Sequence, residues 1–117
     1  MIQHENKNGN VIISTNVYTD IAGTAATNCF GVKGMAARNM KDGLYHLLRK
    51  ESAAKGVRVQ FHEDDSISID LHIMVDSGVN LQAVASSIIS EVRYVVTQHT
   101  GTKVRDVNVF SDAITAD

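Results

Sequence analysis

A chain of 117 residues is the size of one domain and too short for two independent cores. With 44% hydrophobic and 21% charged residues it is not a disordered sequence, and its net charge of -2 gives no basic excess of the kind that holds a nucleic-acid backbone, although a local patch stays open. Cys29 is the only cysteine, which excludes an intramolecular disulfide and a cysteine zinc site.

Aromatic content is 5%, and Trp and Pro are absent, so Val, Ile, Leu and Ala must build the core while Gly and Asn mark the boundaries. Residues 1–8 are polar and read as a loose tail preceding a single domain over 9–114. The opening shows no signal peptide, and no apolar run approaches the roughly 20 residues that span a bilayer. The expectation is a cytoplasmic protein without direct membrane insertion, reaching a membrane through a partner if at all.

Asn10–Ser14 is β-branched and predicts a strand, with Ser14 or Thr15 positioned to cap a following helix. Val17, Ile21, Ala22, Ala25 and Cys29 then fall on one helical face. Gly31-Val32-Lys33-Gly34 ends that helix. Met40, Leu44, Leu47 and Leu48 share another helical face, which predicts a second helix capped by Asp42 and stopped at Gly56, starting near Gly43.

Val57, Val59 and Phe61 alternate with polar residues, as do Ile67, Ile69, Leu71, Ile73 and Val75. Two strands with one apolar face each therefore join through the turn Glu63-Asp64-Asp65. Parity requires Phe61 to oppose Ile67 or Ile69. With Ile67, Arg58 comes opposite Asp70 as an exposed ion pair. Asn80 caps the strongest predicted helix, whose stripe is Leu81, Val84, Ala85, Ile88, Val92, Val95, Val96 and His99; Gly101 suits its left-handed C-terminal cap. Val104–Phe110 reads as the last strand and Thr115–Asp117 as a loose end. The pattern predicts an α+β two-layer sandwich, a small, mainly antiparallel sheet with helices packed on one face, in the order β-α-α-β-β-α-β.

Catalytic chemistry finds little support. His4, His46, His62, His72 and His99 lack metal-ligand spacing and read as surface residues. Cys29 falls at a predicted helix C-terminus, where the dipole disfavours a thiolate, so it reads as a small core residue. The carboxylates of Glu63, Asp64 and Asp65 read as a solvated turn. No phosphate loop, dinucleotide fingerprint or hydrolase elbow occurs, so no enzyme, cofactor or metal is expected. A competing reading comes from Gly31-Val32-Lys33-Gly34. A helix–GXXG–helix unit after a strand resembles the KH module, with Gly31, Lys33, Gly34 and Arg38 as the residues that would meet a nucleic acid or a partner. The structural reading of this segment as a helix connector is favoured over it. Ile12, Ile89 and Tyr94 fall off the apolar stripes and are candidate contact points or scattered surface residues.

The residues also resemble a known family. Gly9-Asn-Val-Ile-Ile-Ser14, then Val17, Ile21-Ala22 and Gly31-Val32, resemble the opening of the alkaline shock proteins of Gram-positive bacteria. Gly56-Val57-Arg-Val59, Ile67-Ser-Ile-Asp-Leu71 and Gly78-Val-Asn80 resemble its middle; Val92, Thr100-Gly101 and Val107-Asn-Val109 resemble its end. Ser77 and Thr102 depart from the aromatic and leucine residues common at those places. The resemblance implies a non-enzymatic envelope stress response protein acting as an adaptor or scaffold through protein contacts. It further implies self-association and partners that include a membrane-anchored protein or a kinase.

Overall fold

The computed structural model describes residues 2–6, 9–38, 41 and 43–114. Met40 and Asp42, used above to place a second helix, and the end at Thr115–Asp117 lie outside them. Strand β1 (Ile2–Asn6) pairs antiparallel with β2 (Gly9–Ile13), in a register running from Ile2↔Ile13 to Asn6↔Gly9. The stretch read as a loose tail thus contributes a strand: β1 gives the backbone amides of β2 partners that a lone strand would lack.

Helix α1 (Thr15–Thr27) follows, with Ser14 extended at its N-cap and making no side-chain cap bond. Its buried face is Tyr18, Ala22, Gly23, Ala25 and Ala26, so the face is rotated from the predicted stripe and Val17 is 41% exposed. Tyr18 explains the rotation: its ring packs edge-on against Phe61 and its hydroxyl bonds Thr102, anchoring the helix by its largest residue.

The second predicted helix does not form. The chain instead enters β3 (Val32–Arg38), then β4 (Tyr45–Leu47) and a 3₁₀ helix (Lys50–Gly56). The residues of β3 favour a helix by composition, but tertiary pairing overrides propensity. An available sheet edge at Ile73–Val75 accepts β3, and Met35 and Ala36 become almost fully buried there.

Strands β5 (Val57–Phe61) and β6 (Ile67–Val75) form the expected hairpin, with Phe61↔Ile67 and Arg58↔Asp70 in register. The predicted ion pair is replaced. Asp70 accepts a hydrogen bond from Asn108 at 3.0 Å, because the neighbouring strand on the other edge supplies a closer donor. Helix α2 (Leu81–Thr100) starts at Asn80, whose side chain accepts from the Ala83 amide at 3.1 Å. It ends at Gly101, left-handed with φ 72°.

The last strand, β7 (Val104–Ile114), runs parallel to β6 from Ile67↔Val104 to Val75↔Ile114. The sheet is therefore mixed. β6 is its centre, with β7 along one edge and β5 and β3 sharing the other, and β4 is the outer neighbour of β3. The α+β class holds, with one predicted helix exchanged for strands.

Alternation sends Ile67, Ile69, Leu71, Ile73 and Val75 to one face of β6, where Tyr18, Ala22, Val84, Ile88, Val92 and Val96 cover them. Full burial of each large aliphatic chain contributes about 1.5–3 kcal/mol, as an upper bound. Among the described residues no buried side-chain polar atom lacks a partner. Both helices lie on this face, which leaves the other face of the sheet to carry a site.

Candidate functional site

The glycine segment is not a loop between helices. Gly31 occupies the turn after α1 with φ 89°, where an added methyl would come within 2.8 Å of Val84. Lys33 is exposed on β3, Gly34 is buried beside a register shift in the β3–β6 pairing, and Arg38 ends the strand. A KH-type clamp needs a free backbone loop between two helices. Here the backbone is committed to a sheet, so the helix–GXXG–helix unit does not exist.

The same segment nonetheless begins an unusually basic region. Residues 33–58 carry seven Lys and Arg against two acidic residues, a surplus of five, which leaves the rest of the chain at minus seven. The near-neutral total conceals this division. Folding gathers three of these cations at one cleft of about 290 Å³, where Arg38, Lys55 and Arg58 surround Tyr45, Gly56 and His72. Among the described residues none of these three cations has a carboxylate partner within salt-bridge distance; Arg105 and Asp64, at 3.2 Å, form such a pair elsewhere.

Beside the cleft, rings from three strands form a row on the open sheet face. Tyr45 of β4 and His72 of β6 are stacked with centroids 5.8 Å apart; His72 and Phe110 of β7 are stacked at 4.9 Å, both with planes 17° apart. Ala36, on the intervening strand, is too small to separate Tyr45 from His72. Phe110 is 44% exposed, so the row ends at an open ring. Further along the same face the character changes. Ser68 donates to Asp106 at 3.3 Å and lies 2.7 Å from the His62 ring, while Asn108 donates to Asp70.

A second surface feature lies at the turn after α1. Phe30 is 93% exposed, while Gly31 beside it rests against Val79 and Val84 at the start of α2, where Leu81 is also exposed. Ile12 and Tyr94 are exposed as well, whereas Ile89 packs against the core.

The remaining candidates are structural. Cys29 is half-buried at the end of α1, its thiol donating to the Ala25 carbonyl at 3.4 Å. Burial pushes its pKa up, Glu91 adds to that, and a hydrogen bond with Ser87 opposes it. Asp64 is a turn-former: it accepts from the Ser66 hydroxyl at 2.6 Å and the Ser66 amide at 3.2 Å, which with Arg105 hold its carboxyl at about 2. Asp65 follows in the left-handed region with φ 65°, tolerable for an aspartate. Among the described residues no group of three or more His, Cys, Asp or Glu converges as a metal site. His99 is exposed in the last turn of α2, against the Val95 carbonyl.

Comparison with known proteins places this architecture. The model of the alkaline shock protein family, described as having a cell envelope-related function, matches residues 3–116. The chain belongs to the alkaline shock protein family. This is the family that the sequence resembles, and the match runs through every element described above. The chain is 39% identical to the uncharacterized protein YloU of Bacillus subtilis (strain 168), across 97% of this chain and 94% of that protein. It is 36% identical to the uncharacterized protein Spy1614 of Streptococcus pyogenes serotype M6, across 89% and 86%. It is 32% identical to the uncharacterized protein YqhY of Bacillus subtilis (strain 168), across 92% and 79%. No solved structure matches.

Sequence reasoning missed the cleft because its parts lie on five elements, and only pairing of β3 with β6 brings them together. The signal that could have found it is the charge of residues 33–58 taken apart from the total. Thr102, which stands where leucine is common in the family, is fully buried against Tyr18.

Proposed function

We propose that this member of the alkaline shock protein family serves its envelope-related role as a non-enzymatic adaptor, binding other proteins and its own copies. The observation that carries the reading is Phe30. A large ring 93% exposed gains nothing in the monomer and marks a contact point, the more so with exposed Leu81 near the same end of α2. The catalytic combinations that acyl transfer or metal hydrolysis would need have no counterpart in the arrangement of the titratable groups described above. Among the described residues no helix is long and apolar enough to cross a membrane. Contact with the envelope runs, on this reading, through a membrane-anchored partner. A kinase is a second partner class consistent with the family resemblance, and the site of action would then be the cytoplasmic side.

The test is cross-linking and recovery of tagged protein from its own cells after nuclease treatment, comparing the native chain with Phe30→Asp. Recovery of defined proteins by the native chain, lost in a variant with unchanged thermal melting, supports the reading. Recovery indifferent to the substitution, or none, overturns it.

A further inference from the structure

The cleft between β3, β4, β5, β6 and the 3₁₀ helix is neither a catalytic arrangement nor part of the Phe30 surface, and its chemistry is specific. We propose that it binds a small planar anion of the nucleoside-phosphate class, the phosphate held by Arg38, Lys55 and Arg58 and the ring stacked against the aromatic row.

Four observations carry this. The first is charge: three cations line one cleft without a carboxylate partner among the described residues, in a chain with a negative total. Guanidinium groups suit phosphate because they donate in a planar fork.

The second is the ring row. A phosphate alone needs no aromatic neighbour, and an acidic peptide needs none either. Tyr45 lines the cleft and is the first ring of a stack continuing through His72 to Phe110. A further planar ring extends such a row favourably, and every nucleobase has the necessary face.

The third is size: about 290 Å³ is at the small end for ligand sites and suits one nucleotide rather than a larger cofactor. The fourth sets the boundary. Asp70, opposite Arg58 and bonded to Asn108, closes the site on that side, Asp106 stands further along the same sheet face, and the two carboxylates repel a polyanion laid across the strands. That separates this site from the aromatic sheet platforms that run a single strand of RNA over their whole width.

The experiment uses the full chain and fluorescent N-methylanthraniloyl adenosine monophosphate, followed by anisotropy, with unlabelled adenosine monophosphate monitored by NMR. Saturable binding is expected. It should weaken about tenfold or more in the double variant Arg38→Gln/Arg58→Gln and separately in Tyr45→Leu, with melting temperatures unchanged. Unlabelled nucleotide should also shift the ring resonances of His72 and Phe110, a readout that needs no variant. Any of four results overturns the proposal: no saturable binding at millimolar nucleotide; binding that both variants retain; displacement by inorganic phosphate as effective as by the nucleotide; or affinity for polyuridine that rises with its length. The first of these leaves the Phe30 reading untouched, because the two surfaces share no residue.

Discussion

Tyr18 and Thr102, 84 positions apart in the chain, meet through a 2.7 Å hydrogen bond between their hydroxyls, and neither side chain is exposed. The bond ties α1 to the segment that links α2 with β7. Loss of one such buried hydroxyl–hydroxyl bond has a net cost of about 1 kcal/mol or somewhat more. Tyr18→Phe is therefore expected to lower stability by about 1–2 kcal/mol. The double variant Tyr18→Phe/Thr102→Val should cost less than the sum of the single changes, as measured by chemical denaturation.

Gly56 gives a prediction about close packing. A methyl there would lie 3.0 Å from the Ala36 carbonyl oxygen and Met35 Cβ, and 3.2 Å from the His72 carbonyl oxygen. Two of those atoms are backbone and cannot swing aside. Gly56→Ala should destabilise by about 1–3 kcal/mol and broaden the His72 ring resonance. Gly78→Ala makes the contrast: nothing lies within 4 Å, so only its φ of 86° resists, and about 1–2 kcal/mol is expected from that source alone.

The acidic turn has a pH signature. Asp64 sits at about 2 rather than 3.8, first through the Ser66 hydroxyl, then the Ser66 amide, with Arg105 a smaller contributor. Its folded value is depressed, so its stabilising effect is complete above pH 4 and fades as the pH falls from about 4 towards 2. Ser66→Ala should raise the Asp64 value further than Arg105→Ala does, as followed by NMR titration. The opposite order would show that the ion pair governs the turn.

Cys29 should be a poor nucleophile. Burial raises its pKa and Glu91 reinforces the effect, so little thiolate exists near neutrality. Alkylation of the native chain by iodoacetamide at pH 7.5 is expected to run several-fold slower than that of the urea-unfolded chain. Equal rates would mean that the thiol is freely accessible.

What the sequence made legible follows from the range of the forces involved. The β5–β6 hairpin could be placed to the residue, because period-two alternation and parity leave few registers. Helix α2 was equally clear, since Asn80, a regular stripe and Gly101 agree with one another. β3 was not, because Ala36 and Ala37 carry no strand preference and gain their place only from the edge of β6. Helix α1 was found but turned, because the alanines lie on a broad face and the ring of Tyr18 settles which side goes in. The cleft inherits the obscurity of β3. Without that strand Arg38, Tyr45 and Lys55 have no common neighbour.

The parallel alignment of β6 with β7 also has a consequence for synthesis. Ile67 faces Val104, so 37 further residues must leave the ribosome before that edge begins to be covered. In the interval β6 has its hairpin partner and its helix but an open flank of isoleucine, leucine and valine, the kind of edge that attracts stray strands. Ser68, Asp70 and His72, spaced through that strand, place polar groups on its other face from the start. That face of β6 is thus polar before β7 is made.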